Sequence, residues 1–383
     1  MQETCFHIER LAMTLGAGAQ LPTFVELRRD TGASVVTLNR ALESLESRGV
    51  LTRRHAVGIF VSPNVGRKSI AIICNQSFVS GPEVSPFWQM LMDGLRDQVA
   101  ARGHELSVHF TLEGEGVEDS GVFHRDLARA VEAGRTDGVF GIGLNRQAAA
   151  WLQDRGVAVV GSHGKADVEV LVDFSHLART ATVLLSRRGC RRVALWVGHR
   201  HRVTGGDFSP SKEWNEHPQA AAYREGLAEA GLIYDPSLLI DSRFLPAFQK
   251  GVVRPTFWEQ GYQMALHVFG QKTAPRIDGI VSLSELFTQG VLIGMERRGV
   301  AIGETSGAVQ VAAHNNRGVP LLAPWADRIT CFDVVPADMA ETMARTLDAV
   351  LAGASPPESP LWHRPILRTV PEATLEREPS LSP

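Results

Sequence analysis

Near the start of the chain, apolar residues recur at the spacing of a helix. Four of them stand three and four residues apart and share one helical face: Leu38, Ala41, Leu42 and Leu45. Ser34 precedes this run as a candidate N-cap, and Gly49 follows it as a stop signal. The pattern predicts a helix that begins after Ser34 and ends before Gly49.

Two further helices and a hairpin are predicted around this helix. Residues 23–26 have the Thr-x-x-Glu form of a capping box, which predicts a short helix ending near Gly32. A first helix is expected over Glu3–Leu15, before a glycine-rich loop. Val50–Arg54 and Gly58–Ser62 read as two strands joined by a tip. Helix, helix, tight turn, helix and hairpin is the order of a winged helix-turn-helix.

From Lys68 onward, short apolar runs alternate with helical segments, which predicts parallel sheets with crossover helices. About 300 residues of this pattern exceed one sheet, so two lobes are expected. The fold class is therefore α/β: an N-terminal winged helix-turn-helix (residues 1–66), a two-lobed domain like a periplasmic binding protein (67–370) and a disordered polar tail (371–383). The predicted strands are Ser69–Cys74, Glu105–Phe110, Thr136–Gly141, Val157–Gly161, Val168–Val172, Arg192–Val197, Ile277–Ser282 and Ala308–Ala313.

The sign of the net charge changes at the boundary between the N-terminal domain and the body. The net charge is −3, yet residues 1–68 hold 9 basic and 6 acidic side chains, so this part is positive and the remainder negative. Only the N-terminal part is expected to meet a polyanion. The candidate contacts to bases and phosphates lie on two helices and the wing: Arg28, Arg29, Ser34, Val35, Val36, Thr37, Asn39, Arg40, Arg53, Arg54 and His55.

Other sequence features exclude several classes of protein. The four cysteines are far apart with no CxxC pair, which argues against a zinc knuckle or a disulfide framework and fits a reducing cytoplasm. No secretory signal and no apolar run of about 18 residues is present, so a cytoplasmic protein without a membrane span is expected. No phosphate loop, HExxH or GxSxG motif appears; no cofactor, metal site or catalytic residue is predicted.

Two family resemblances sharpen this interpretation. Residues 21–63 resemble the DNA-binding domain of the GntR family of bacterial repressors, although Val35 stands where an arginine is common and Ala56-Val57 replace a glycine and a basic residue. The body resembles the ligand domain of the lactose/galactose repressor family, which is similar to periplasmic sugar-binding proteins. This second resemblance covers about 68–370, with insertions at 199–218 and 243–256. The combination resembles the arabinose repressor type and lacks a hinge helix.

The second resemblance implies where an effector binds. It puts ring-stacking residues at Phe87 and Trp88, with Trp88 preferred and core packing as the alternative. Gln219 stands where relatives have an arginine, and Asn315 replaces a carboxylate that grips two hydroxyls. The implied effector residues are Phe87, Trp88, Gln219, Phe244, Ser284, Glu285, Asn315 and Trp325, with Trp214 as a further aromatic. A neutral sugar or polyol fits this set better than an anion, unless Arg146, Arg202 or Arg317 supplies charge.

These observations predict a transcriptional regulator, specifically a repressor, that binds double-stranded operator DNA as a homodimer and responds to a small-molecule effector, a sugar or sugar derivative. Two alternatives from other classes stay open. One is a cytosolic carbohydrate-binding protein, and the N-terminal helix-turn-helix speaks against it. The other is a sugar-metabolising enzyme such as a kinase or isomerase, which would need a phosphate loop or an acid/base pair.

Overall fold

The computed structural model describes residues 2–54, 57–63, 65–80, 84–111, 125–198, 217–242, 256–271 and 276–368. The first of these ranges opens with three helices. They are α1 (Gln2–Leu15), α2 (Phe24–Thr31) and α3 (Val35–Ser47), and two antiparallel strands follow them, β1 (Leu51–Arg54) and β2 (Gly58–Val61). The predicted helix–helix–turn–helix–hairpin order is confirmed.

The predicted helix signals act as expected. Thr23 and Glu26 form a reciprocal capping box at the start of α2, and Gly32 ends that helix in the left-handed conformation. Ser34 caps α3 through a hydrogen bond from the Thr37 backbone N–H. The apolar face of α3 packs into a hydrophobic cluster that also contains Ile8 of α1. This cluster fixes the angle between α2 and α3 and leaves the N-terminal turn of α3 outside.

Two parallel sheets form the body, and they have the same strand order. In the first lobe the order is β13-β7-β6-β5-β3-β4, and all neighbours are parallel. In the second it is β14-β12-β11-β10-β8-β9, parallel except for β14. The strands are β3 (Ser69–Asn75), β4 (Glu105–Thr111), β5 (Gly138–Ile142), β6 (Ala158–Ser162), β7 (Val168–Val172), β8 (Val193–Val197), β9 (Leu239–Asp241), β10 (Gly279–Ser282), β11 (Gln310–Asn316), β12 (Thr330–Val334), β13 (Leu361–His363) and β14 (Ile366–Leu367).

Helices cover the sheets, and the chain passes between the lobes three times. It leaves the first lobe after β7, returns after β12, and crosses again between β13 and β14. The last helix packs on the first lobe, where Met339 and Met343 join its core. The helices of the body are α4 (Pro86–Ala101), α5 (Arg125–Glu132), α6 (Arg146–Gln153), α7 (Phe174–Arg187), α8 (Pro218–Glu229), α9 (Phe257–Val268), α10 (Glu285–Arg297) and α11 (Pro336–Leu351).

Glycines allow α9 and α10 to pack with their backbones in contact. A Cβ at Gly261 would overlap the carbonyl oxygen of Phe287, and one at Gly290 would overlap the carbonyl of Trp258. Only glycine permits so close an approach. The two helices therefore begin side by side, which places Phe257 and Glu285, their first residues, at the same edge of the second lobe.

Candidate functional site

The first candidate site is the exposed N-terminal turn of α3, which we call the α3 face. Val35 and Val36 are 45% and 62% exposed although both are apolar, and Arg40 is exposed beside them. Asn39 and Thr37 are half-buried, and the Thr37 hydroxyl lies 2.9 Å from the Ser34 hydroxyl. In a winged helix-turn-helix this turn is the part of the recognition helix that reaches base edges.

The basic side chains around the α3 face differ in whether they interact with other side chains of the protein. Arg53 forms a salt bridge with Glu46 at 3.2 Å, and Arg54 lies over the Phe60 ring at 4.4 Å. Arg29 pairs with its neighbour Asp30. Arg28 and Arg40 are exposed and have no ion pair within the described ranges. His55 lies outside the described residues, so its predicted place on the wing stays a prediction.

The second candidate site is a cavity between the two lobes, which we call the interlobe cavity. Its volume is about 180 Å³. It lies at the carboxyl ends of the parallel strands, where open α/β sheets bind their ligands. The first lobe and its crossover contribute Ser85, Phe87, Trp88, His163, Val172 and Phe174, and the second lobe contributes Phe257, Leu283, Ser284, Glu285, Leu286 and His314.

Aromatic rings form the wall on the first lobe. Trp88 meets Phe78, Phe87 and His163 edge-on, at centroid distances of 4.5, 4.8 and 4.8 Å. His163 has φ of 56°, a left-handed conformation that is uncommon outside glycine, and its Nδ1 lies 2.8 Å from the Ser162 hydroxyl. This backbone conformation holds the imidazole edge against Trp88.

Glu285 is the carboxylate of the interlobe cavity, and it is 1% exposed. The Asn316 backbone N–H donates to its Oε2 at 2.9 Å, and the Asn316 amide donates to its Oε1 at 2.6 Å. Burial raises the pKa of Glu285. The polar groups of Asn316 and the Ser85 hydroxyl, which comes from the other lobe, oppose that shift. Because both Asn316 groups donate, the geometry fits the ionised form.

His314 lines the same cavity from β11 and is 6% exposed. Its ring packs edge-on against Phe174 at 5.2 Å, and neither ring nitrogen meets a hydrogen-bond partner within the described part of the chain. Burial lowers the pKa of His314 to about 4. The Asn316 side chain and the Asp333 carboxylate both raise this pKa, but their effect is smaller than that of burial. His314 is therefore neutral at pH 7 and offers one donor and one acceptor to a ligand.

The structure brings four of the eight predicted effector residues together. Phe87, Trp88, Ser284 and Glu285 line the interlobe cavity, and Trp88 is not preferred over Phe87, since both do so. Gln219 is half-buried at the start of α8 and is not part of the lining. Phe244, Trp214 and Arg202 lie outside the described residues.

Asn315 and Trp325 are not part of the described cavity lining, so their effector role stays a prediction. The Asn315 amide donates to Asp333 at 2.9 Å. Successive residues of β11 face opposite sides, and the neighbouring His314 lines the cavity. Trp325 packs in the core of the second lobe, and its indole N–H donates to Glu296 at 2.9 Å. Arg146 is exposed on α6, and Arg317 lies 3.5 Å from Asp333.

Sequence reasoning missed His163, Phe174, Phe257 and His314 as cavity residues. His314 had a usable signal, because it stands at the end of a predicted strand and on the same face as Asn316. Phe174 follows Asp173, which caps α7 by accepting a hydrogen bond from the His176 backbone N–H at 2.8 Å. Phe257 and His163 gave no signal, since a phenylalanine at a helix start or a histidine after a strand is common in packed cores.

Two features are absent from the described residues. No helix there is long and apolar enough to cross a membrane. No group of three or more histidine, cysteine, aspartate or glutamate side chains in those ranges could hold a metal ion.

Comparison with known sequences concerns the N-terminal part. Residues 9–61 match the family described as bacterial regulatory proteins, gntR family. A segment of 102 residues is 31% identical to the histidine utilization repressor of Pseudomonas putida, which is 26% of this chain and 34% of that protein. The chain thus matches about a third of the length of that curated relative. The N-terminal domain is a GntR-type winged helix-turn-helix.

Comparison with solved structures concerns the body. A LacI-family regulatory protein from Chloroflexus aggregans matches with a TM-score of 0.58 at 18% identity, over 78% of this chain and 96% of that one. The regulator CcpA of Lactococcus lactis gives 0.55 at 15% identity, over 79% and 98%. The regulator CelR, solved with cellobiose, gives 0.53 at 18% identity, over 88% and 90%. The body has the fold of LacI-family regulators, and these relatives are regulators rather than enzymes.

Proposed function

From a GntR-type winged helix-turn-helix joined to a body with the LacI-family fold, we propose that this chain is a DNA-binding transcriptional repressor controlled by a small-molecule effector. The α3 face carries this proposal. It exposes two valines and Arg40 at the start of the recognition helix, where packing gives no reason for apolar exposure. In a helix-turn-helix, that turn contacts base edges while nearby arginines contact phosphates.

The repressor is proposed to act as a homodimer in the cytoplasm, where the operator DNA is. A two-fold dimer places two α3 faces on two half-sites of a near-palindromic operator. The effector is proposed to bind in the interlobe cavity. A sugar or sugar derivative stays the expected class, because aromatic residues that suit the apolar face of a sugar ring line the cavity and a relative of the same fold is named with cellobiose.

The effector is proposed to control DNA binding because residues from both lobes line the interlobe cavity. A ligand that touches both lobes stabilises the lobe arrangement in which both sets of contacts are made, and it shifts the population toward that arrangement. If the arrangement changes the spacing of the two winged domains, operator affinity changes with it. The coupling is reciprocal, so operator DNA must change effector affinity by the same factor.

The test is the binding of full-length protein to DNA fragments from upstream of its own gene, followed by fluorescence anisotropy across a range of salt concentrations. Arg40→Ala is expected to weaken specific binding about tenfold and to reduce the slope of log affinity against log salt by about 1. Arg297→Ala is the matched control, because Arg297 is exposed at the end of α10 in the second lobe. Equal behaviour of the two variants would contradict the assignment of the α3 face.

A further inference from the structure

The charge of the interlobe cavity narrows the class of effector. Within the described lining, Glu285 is the one carboxylate, and no lysine or arginine is present. Both carboxylate oxygens accept hydrogen bonds from Asn316, and no basic group of the described ranges contributes to the environment of this acid. A buried carboxylate held ionised without a cationic partner is costly, unless a bound cation completes the pair.

The aromatic rings opposite Glu285 suit the same kind of ligand. Phe87 and Trp88 stand on the first lobe, Phe174 at the crossover and Phe257 on the second lobe. Aromatic faces attract ammonium groups and other organic cations, most strongly where water is excluded. The rings also accept any flat apolar surface, so they do not by themselves separate a cation from a sugar. The carboxylate makes that distinction.

His314 supplies an independent observation. It is 94% buried, it lines the cavity, and both of its ring nitrogens are unpartnered within the described residues. A neutral imidazole does not repel a cation, and its bare nitrogen accepts a hydrogen bond from an N–H donor. Buried polar atoms in folded proteins nearly always have a partner, and a ligand in the cavity is one group that can satisfy the His314 ring nitrogens.

The described lining offers few polar groups to a neutral polyol. Ser85 and Ser284 are occupied as N-caps, since they accept the backbone N–H groups of Phe87 and Phe287. The partial positive charges at the starts of α4 and α10 are near Glu285, which begins α10 itself, and they favour its ionised form. The cavity, at about 180 Å³, is also smaller than the roughly 300–1,000 Å³ of ordinary ligand pockets.

We propose that the effector is a small organic cation, with a protonated nitrogen beside Glu285 and His314 and a flat apolar body between the aromatic rings. This inference rests on the proposed function, and it deepens it by naming the chemistry of the ligand. An amino sugar and an aromatic amine share that chemistry. The nitrogen donates one hydrogen bond to the Glu285 carboxylate and one to the acceptor nitrogen of His314.

The test is calorimetric titration of the full-length protein at pH 7 with probes that differ in charge. Glucosamine is compared with glucose and N-acetylglucosamine, and benzylamine is compared with benzyl alcohol. At least one amine is expected to bind ten times or more tightly than its neutral partners. Whether it is glucosamine or benzylamine distinguishes an amino sugar from an aromatic amine. Glucuronate tests the opposite charge.

Two variants locate the effect. Glu285→Gln keeps the shape of the side chain and removes its charge, and it is expected to abolish the preference for the amine. Glu225→Gln makes the same change on the exposed surface of α8 and is expected to keep the preference. The comparison of probes on the unaltered protein stands even if Glu285→Gln fails to fold.

Each other result contradicts the inference. Equal or absent binding of amines and neutral partners overturns it, as does tighter binding of glucose or glucuronate, or a preference that survives Glu285→Gln. None of these results touches the proposed function, which is judged by operator binding. Conversely, the protein could bind an amine tightly and show no affinity for operator DNA. That result would support the cation site and contradict the proposal that the protein is a repressor.

Discussion

The two lobes have the same strand order but present different chemistry to the interlobe cavity. The first lobe contributes rings, with Trp88 at the centre of a cluster of edge-on contacts. The second contributes hydrogen-bonding groups, above all Glu285 and His314. The same sheet topology therefore provides an apolar wall on one side and a polar edge on the other. A ligand that contacts both walls is therefore expected to bind in one orientation.

The polar edge of the second lobe is built as a network. Glu285 is held by Asn316, the Thr288 hydroxyl donates to Ser282 at 2.7 Å, and Ser242 donates to Gln260 at 2.8 Å. All of these groups lie at the carboxyl ends of strands or the starts of the helices that follow. Such a network fixes the polar groups in place before a ligand arrives, which reduces the cost of ordering them on binding.

The prediction with the largest effect on stability and ligand binding compares Trp88 with Trp325, the two tryptophans predicted from the sequence as effector contacts. Trp88→Ala and Trp325→Ala each remove a buried indole, and each is expected to lower the free energy of unfolding by about 3–5 kcal/mol. Only Trp88→Ala is expected to abolish effector binding, since Trp325 lies outside the cavity lining. Urea unfolding and ligand titration on both variants measure this. If both variants lost effector binding equally, the proposal that Trp88 contacts the effector and Trp325 does not would be wrong.

The second prediction concerns His314 and pH. Its pKa is about 4 in the folded state and near 6.5 when unfolded, so below pH 6.5 the unfolded chain binds the extra proton. The free energy of unfolding therefore falls as pH drops from about 6.5 toward 4, and this residue accounts for about 2 kcal/mol of the loss at pH 5.

His314→Gln is expected to flatten that part of the pH profile, measured by urea unfolding between pH 7 and pH 5. Burial also lowers the pKa of His104, His217 and His363, which add a loss of the same sign. The difference between the two proteins is therefore the quantity to compare. An unchanged profile in the variant would mean that His314 is solvated and not enclosed between the lobes.

The third comparison, with the smallest difference, is between two serines that line the cavity from different lobes. Ser85→Ala and Ser284→Ala each remove an N-cap, which costs about 1 kcal/mol. Ser85→Ala also removes the interaction that opposes the effect of burial on the pKa of Glu285 in the other lobe, so it is expected to destabilise the protein more than Ser284→Ala does. Thermal unfolding of both variants checks this. Equal destabilisation would mean that the contact between the lobes contributes nothing measurable.

Much of the fold could be predicted from the sequence, because its signals are local. The Thr23–Glu26 capping box, the Ser34 cap and the Gly32 turn all act within one helical turn, and the structure confirms each one. Val168–Val172 is found with the predicted bounds, and the other predicted strands shift at their ends by a few residues. β12, β13 and β14 were not predicted, since their runs are short or lie next to polar and proline-rich sequence.

The site was harder to predict because its members are far apart along the chain. Phe87, Trp88, Ser284 and Glu285, which were predicted through the resemblance, line the interlobe cavity, whereas the predicted Asn315 is one residue away from the lining residue His314. In a strand, a shift of one residue moves a side chain to the opposite face, so an approximate alignment cannot tell Asn315 from its neighbours His314 and Asn316. Trp325 illustrates a second difficulty, because an aromatic residue can either contact a ligand or pack in a hydrophobic core.

The sequence by itself determined the order of the helices and strands, the split into a basic N-terminal domain and an acidic body, and the exposure of the α3 face. These properties depend on spacing, capping and composition over a few residues. Tertiary contacts were needed to show that Glu285, His314 and the aromatic residues line one cavity, with no lysine or arginine in its described lining. Burial and pairing depend on contacts between segments more than a hundred residues apart, and no local pattern records them.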